Sequence, residues 1–289
     1  MKMKELLVLS GKGGTGKTTI ATAFIKLGRI RAYADCDVDA PNLHLVVKPK
    51  TPKNEQNYYG MAKGVINPIA CTNCGLCMEN CRFEAIALRE KKYIIDAVAC
   101  EGCGVCELIC PTGAIELKLF KAGDLILYKG EEVFSTAKLK MGSGTSGLLV
   151  TEVKNNLKNH ASAVPLAIID GSPGIGCPVI ASISGVDLVL IVAEPSISGI
   201  SDMKRIIETA RKFQTKVVVC INKYDTNIKK TEEIEKICLQ EKIAVVGKIP
   251  FDSNVVLTLN QGRCISEIDC VATKAIIKIY DYIIKNLCN

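Results

Sequence analysis

The sequence predicts an α/β fold: a mostly parallel, doubly wound sheet into which a small α+β module is inserted. Three observations carry this. Apolar runs of strand length alternate with helical periods, a glycine-rich turn follows the first run, and eight of the 15 cysteines fall between positions 71 and 110. Strands alternating with helices imply parallel pairing, because a parallel crossover needs a helix to return the chain. The cysteine segment interrupts that alternation and divides the chain at 1–60, 61–118 and 119–289. With 48% apolar and 23% charged residues in 289, the chain can bury a core of this size.

Residues 5–9 and 30–34 read as short buried strands with a helix over 18–27 between them. After the cysteines, strands are expected at 166–169, 186–192, 217–221 and 244–249, and helices at 200–213 and 231–242. The polar, Pro-containing stretch 48–59 and the region around 118–121 mark the edges of the insert. Residues 142–147 read as a flexible hinge or a plain connecting loop. A terminal helix over 272–287 presents Ile276, Ile277, Tyr280, Ile283, Ile284 and Leu287 on one face, suited to packing on its own sheet. The N-terminus is too short in apolar residues for a signal peptide, and no run approaches the ~18 of a membrane span. A cytoplasmic protein with thiols reduced or metal-bound follows.

Within the insert, a slide of 29 residues superposes two copies of C-x2-C-x2-C-x3-C: Cys71, Cys74, Cys77, Cys81 on Cys100, Cys103, Cys106, Cys110. Three thiolates so closely spaced wrap three corners of a cubane, and the fourth points away to serve the other cluster. The expected [4Fe–4S] ligand sets are therefore Cys71, Cys74, Cys77 with Cys110, and Cys100, Cys103, Cys106 with Cys81. Zinc is the rival reading of paired CxxC motifs. Residues 61–118 resemble bacterial-type two-cluster ferredoxins, with Arg82 where such runs carry Pro, as Pro111 does in the second copy.

Gly11-Lys12-Gly13-Gly14-Thr15-Gly16-Lys17-Thr18 fits G-x4-G-K-[ST] between a strand and a helix, the context a phosphate loop requires. Its N–H groups and the helix N-terminus surround phosphates, Lys17 neutralises β/γ charge and Thr18 ligates Mg²⁺. Thr19 follows in the nucleotide-binding set.

Lys12 makes the motif a deviant KGGTGKT, and here the sequence resembles the MinD/ParA/Mrp-type ATPases, which include the nitrogenase iron protein. That resemblance implies ATP with Mg²⁺, and a homodimer with nucleotide at its interface, in which Lys12 reaches the neighbouring subunit's phosphates. In Asp35-Cys36-Asp37-Val38-Asp39 it implies Asp35 as a magnesium residue and Asp37 as the group positioning water, with Asp39 as a rival for the second role. Asp170, ending an apolar run, corresponds to the Walker B residue, and Ser172-Pro173-Gly174 to the second switch. Asn222, in Asn222-Lys223-Tyr224-Asp225, and Pro250 with Phe251 correspond to the base-holding stretches. Choice of ATP over GTP rests on the resemblance. It covers the whole chain and is nearest to MinD-superfamily ATPases with an inserted ferredoxin domain.

The implied function is an ATPase coupling a dimer switch to electron transfer, through two [4Fe–4S] clusters, to an unidentified redox partner. Alternatives are an ATP-dependent iron–sulfur scaffold or carrier, and an acyl-phosphate-forming amide ligase related to cobyrinic acid a,c-diamide synthase. Nucleic acid is not expected as a partner, because no basic patch is interleaved with aromatics. Cys177 is expected as a buried structural thiol, and Cys36, Cys220, Cys238, Cys264, Cys270 and Cys288 show no ligand spacing. The formal charge of +7 divides unevenly: residues 61–118 hold six Lys+Arg and seven Asp+Glu. Two bound clusters, at about −2 each with their thiolates, would deepen that contrast.

Overall fold

Both faces of β1 (Lys4–Leu9) are closed to solvent, with Leu6, Leu7, Val8 and Leu9 fully buried. The strand therefore sits mid-sheet in a two-faced α/β layer structure. The computed structural model describes residues 3–161 and 164–287; Cys288 lies outside them. After β1 come α1 (Lys17–Leu27), β2 (Ala32–Asp35), α2 (Leu43–Val47), β3 (Lys53–Tyr59) and β4 (Lys63–Ile66). The cysteine region supplies α3 (Leu76–Glu79), β5 (Ile86–Arg89), β6 (Lys92–Ile95), α4 (Val105–Leu108) and β7 (Ile115–Lys118). Then follow β8 (Lys121–Lys129), β9 (Val133–Leu139), α5 (Ser146–His160), β10 (Leu166–Asp170), α6 (Cys177–Ile183) and β11 (Leu188–Ala193). The chain closes with α7 (Ile197–Lys212), β12 (Lys216–Asn222), α8 (Ile228–Gln240), β13 (Ala244–Ile249), α9 (Ser253–Asn260) and α10 (Val271–Leu287).

Nine strands form one sheet in the order β13-β12-β11-β1-β10-β2-β9-β8-β3, and every pairing from β13 to β9 is parallel. Leu6 and Val8 join Ile20 and Phe24 of α1 and Ile276, Ile279 and Ile283 of α10 in one core cluster. Leu7 and Leu9 point to the other face by strand alternation. There α6 packs on β1, and Lys158 of α5 pairs with buried Glu5 at 3.0 Å. Register aligns Val8 with Asp170 and Asp170 with Asp35. The carboxyl ends of three neighbouring strands thus deliver the glycine-rich turn and two carboxylates to one edge, where open α/β sheets bind ligands.

The chain divides into two compact units. One comprises Met1–Glu55, Leu125–Lys138 and Gly147–Asn289; the other comprises Gln56–Asp124 and Leu139–Ser146. The second unit thus reaches beyond 61–118 on both sides and takes back 139–146, which includes most of the loop read as a hinge or a plain connection. Its elements repeat at 29 residues: β4, α3 and β5 correspond to β6, α4 and β7. The copies interleave, since β4 pairs antiparallel with β7, and β5 with β6. Ile86 and Ile115, equivalent positions in the repeat, share a small core with Cys77.

Three strands of the nine-stranded sheet have no counterpart among the expected runs. The polar stretch 48–59 contains β3, an edge strand whose Lys53, Asn54, Glu55, Gln56 and Asn57 are exposed. Edges carry charge because they bury little and must resist further pairing, so alternation does not mark them. Beside it β8 is buried at only three of its nine residues, and β9, next inward, is buried over Val133–Ala137 but carries the polar Ser135 and Thr136 there. In α10 the buried stripe runs through Ala272, Thr273, Ile276, Ile279 and Ile283, leaving Ile277 at 36% exposure. The packed face is centred on Ile279 rather than Ile277. No helix of the described residues is long and apolar enough to cross a membrane.

Candidate functional site

The turn between β1 and α1 lines a cavity of about 450 Å³ with Lys12, Gly13, Gly14, Thr15, Gly16, Lys17, Thr18 and Thr19. That volume suits a nucleotide-sized ligand. Gly16 shows why the turn is glycine-rich. Its φ is 93°, and a Cβ there would meet Asn222 Nδ2 at 2.4 Å. Asn222 itself donates from Nδ2 to the Thr15 carbonyl at 2.7 Å, so the residue ending β12 braces the loop from behind. Gly11 lies outside the cavity, against Asp202 of α7.

Lys17 Nζ lies 2.6 Å from Asp170 Oδ1, and the Thr18 hydroxyl donates to Asp170 Oδ2 at 2.7 Å. Burial alone would lower the Lys17 ammonium's pKa, but the Asp170 carboxylate outweighs it and holds it above the ordinary value. Asp35 is fully buried, and burial together with the Asp170 charge pushes its carboxyl up to about 7. Its oxygens accept the N–H groups of Asp37 at 3.0 Å and of Asn42 and Leu43 at 2.9 Å. Asp35 therefore shapes the loop that presents Asp37, and Asp37 is the member of the pair that lines the cavity. The Asp37 carboxyl is raised by burial and by Asp170, against the pull of Lys17. In the 171–176 segment, the Ser172 hydroxyl donates to the Cys36 carbonyl and Gly174 N–H to the Ser10 carbonyl. Thr18, Asp35, Asp37 and Asp170 thus form an oxygen-rich group beside the phosphate loop, the donor type Mg²⁺ prefers.

Lys12 turns away from the cavity floor. Its ammonium is 3.1 Å from Glu194 Oε2, and within 3.5 Å of the Ser196 and Ser198 hydroxyls. Lys223 reaches Glu194 Oε1 at 3.2 Å and the Gly14 carbonyl at 3.1 Å. Burial would raise the Glu194 carboxyl, but hydrogen bonds from Lys12 and Lys223 bring it below its usual range. Lys223 belongs to the Asn222-Lys223-Tyr224-Asp225 stretch, whereas Glu194 carries no motif that single-sequence reading assigns; its place at the end of an apolar strand is the one available signal. At the far end Pro250 and Phe251 line the cavity, and Asp225 Oδ1 accepts the Phe251 N–H at 2.7 Å. Beyond them Leu45, Val46, Val255, Val256 and Leu259 continue it as an apolar wall.

In the second unit, Cys71, Cys74, Cys77 and Cys110 line one small cavity, with Tyr93 and Ile115. Cys81, Cys100, Cys103 and Cys106 line another, with Phe83 and Ile95. Each cavity draws three thiols from one run and the fourth from the other, as the crosswise sheet pairing requires. The repeat-related Gly75 and Gly104 open α3 and α4 at φ of 86° and 79°, a conformation glycine adopts without strain. Four thiols with apolar walls are the donor set of a soft-metal site. Among the described residues no three His, Cys, Asp or Glu side chains converge on a single-ion position.

Arg82 is exposed. Cys177, expected to be buried, is exposed at the start of α6, because the buried face of that helix runs through Val179, Ser182 and Ile183 and leaves its first residue outside. Cys36, Cys220, Cys238, Cys264 and Cys270 are buried free thiols.

Residues 6–265 match the CobQ/CobB/MinD/ParA nucleotide-binding domain model. An uncharacterized protein of Methanocaldococcus jannaschii is 32% identical over 282 residues, 96% of this chain and 95% of that one. The Bacillus subtilis septum site-determining protein MinD is 22% identical over 273 residues, 91% of this chain and 82% of its own. The Pyrococcus horikoshii MinD structure, complexed with Mg-ADP, superposes with a TM-score of 0.58 at 16% identity, covering 98% of this chain and 97% of that one. With its glycine-rich loop, paired lysines and strand-end carboxylates on the matching sheet edge, this chain belongs to that nucleotide-binding family as a MinD/ParA-type P-loop ATPase.

Proposed function

We propose that this ATPase is an iron–sulfur protein in which a nucleotide-dependent homodimer switch is coupled to electron transfer through two [4Fe–4S] clusters in a ferredoxin-like insert. One observation carries the reading: each of two cavities is lined by three cysteines of one run and the fourth of the other. That pairing is the ligand logic of two-cluster proteins. Cys71, Cys74, Cys77 and Cys110 would hold one cluster, and Cys81, Cys100, Cys103 and Cys106 the other, each supplying a one-electron carrier when bound.

In the nucleotide site Lys17 neutralises β/γ charge, Thr18, Asp35 and Asp170 would hold Mg²⁺, and Asp37 orients the attacking water on the loop whose N–H groups Asp35 accepts. Asn222, Pro250 and Phe251 surround the base. Lys12 leaves Glu194 and crosses to the partner subunit's phosphates, so hydrolysis requires two copies. The test is one preparation made without oxygen. Iron and sulfide are counted, EPR is recorded with and without ATP, and hydrolysis is measured with the clusters oxidised and reduced. Eight irons per chain and an ATP-dependent spectrum are expected. Absence of iron, or an ATPase rate and spectrum independent of each other, overturns the reading.

Exposure of Cys74 and Cys103, one thiol in each set, favours a second reading as an ATP-dependent cluster carrier. Transfer of iron and sulfide to an apo-acceptor, measured with and without ATP, separates the two.

A further inference from the structure

The two four-cysteine sites are related by the repeat but are not electrostatically equal. Lys63, at the start of β4, is 5% exposed, and its ammonium donates to the carbonyl of Cys100. That is its one hydrogen bond among the described residues, and no described carboxylate lies within 4.0 Å of it. The strand runs close against the second cysteine loop. A Cβ on Gly64 would lie 3.6 Å from Cys106 Sγ, and one on Gly102 would lie 2.1 Å from the Ala62 carbonyl oxygen.

The repeat partners behave differently. Lys92, equivalent to Lys63, is exposed on β6. Tyr93, equivalent to Gly64, lines the first cavity, with its hydroxyl 3.0 Å from where a Gly75 Cβ would stand. The first site therefore has an aromatic ring where the second has a glycine. The second site has a buried ammonium where the first has a solvated one.

A buried ammonium facing only a neutral carbonyl is costly, and such groups are retained where an anion completes them. Four thiolates around an iron–sulfur core carry that negative charge, and each added electron makes it larger. A fixed cation close by favours the reduced form and raises the potential, whereas the field of Lys92 is weakened by water and salt. We propose that Lys63 sets the potential of the site formed by Cys81, Cys100, Cys103 and Cys106 above that of its repeat partner. An electron accepted from a one-electron donor protein then comes to rest at the second site. This rests on the iron–sulfur reading above.

The experiment is an EPR-monitored redox titration of the full-length protein, prepared without oxygen, after iron and sulfide have been counted. Two potentials are expected. Lys63→Gln keeps a donor for the Cys100 carbonyl but removes the charge. It should lower the higher potential by at least the tenfold change in reduction equilibrium that equals about 59 mV, leaving the lower one in place. Lys63→Arg should hold both, and Lys92→Gln should move neither. If Lys63→Gln moves neither potential, moves the lower one, or moves both together, the proposal fails. Should Lys63→Gln lose half its iron while Lys63→Arg keeps it, the charge is required for assembly of that site, which also supports the proposal. Loss in both variants assigns Lys63 to packing and overturns it. A wild-type chain with eight irons but one shared potential overturns this inference alone, whereas a chain without iron and sulfide overturns the iron–sulfur reading with it.

Discussion

Lys17 Nζ and Asp170 Oδ1 stand 2.6 Å apart, with Lys17 6% exposed and Asp170 fully buried. The Thr18 hydroxyl holds the other oxygen. One carboxylate thus engages the two side chains expected to meet phosphate and Mg²⁺. Removing one partner of a buried pair strands the other charge, which costs roughly 3–5 kcal/mol. Asp170→Ala should lose about that much in urea unfolding of the nucleotide-free protein. An unchanged midpoint would show that the ammonium is satisfied elsewhere.

On the proposed reading, Glu194 would hold Lys12 back from phosphate. Lys12 is substantially exposed, so the pair is worth at most about 1 kcal/mol. Glu194→Gln should tighten ATP binding by up to about fivefold in equilibrium titration. Weaker binding would instead make Glu194 a prop for the loop.

Lys12→Ala separates binding from hydrolysis. Because Lys17 remains in place, ATP affinity should stay within a few-fold, while turnover falls on the order of a hundredfold, as when one transition-state charge contact is lost. Turnover that survives at wild-type rate excludes Lys12 from the chemistry.

The crosswise lining of the cysteine cavities makes an additivity prediction. Cys71→Ser/Cys110→Ser should lose no more iron than Cys110→Ser alone, because both positions border one cavity. Cys71→Ser/Cys81→Ser removes a thiol from each cavity and should lose about twice as much. The reverse outcome would assign each run its own cluster.

Lys154 of α5 is 4% exposed and donates to the carbonyls of Ala181, Ser182 and Ser184 at 3.1, 2.7 and 2.5 Å. Burial, partly offset by Cys36 and Glu5 and aided by Lys158, brings its ammonium down to about 8 from 10.5. Across that window the unfolded chain keeps a proton the folded chain has released, so this group's contribution to stability rises with pH. The gain is on the order of 3 kcal/mol in total. In Lys154→Met the slope disappears, read as the difference between the two proteins' urea midpoints from about pH 8 upward. A constant difference refutes the assignment.

Central strands and the glycine-rich loop are legible in the sequence because their residues answer to one demand each. Leu6 to Leu9 are buried on both faces and read as an unbroken apolar run, and Gly16 must hold a left-handed turn. β3 and β8 escape because strands toward the edge bury less and keep polar side chains, and β9 because its buried run is broken by the polar Ser135 and Thr136. Asp35 is the instructive site residue. A carboxylate at a strand end reads equally as a metal ligand or as an acceptor for loop N–H groups, and the three donors it meets come from residues that only the folded loop brings to it. Glu194 and Lys63 were hidden for a related reason: their partners lie 182 and 37 positions away in the chain, and nothing local marks either.

The polypeptide passes between the two compact units four times, after Glu55, Asp124, Lys138 and Ser146. An ordinary inserted module is tethered by two crossings and can be cut out and its ends rejoined. Here a single excision from Gln56 to Ser146 would carry away β8, β9 and most of β3, all strands of the nine-stranded sheet. Neither unit can therefore be transplanted as one continuous piece of gene. The β8–β9 segment also gives the ATPase strands that the chain can supply only after it has finished the cysteine repeat. During synthesis the sheet waits for the thiol-bearing unit to be made, so the order of translation itself links completion of one unit to the other.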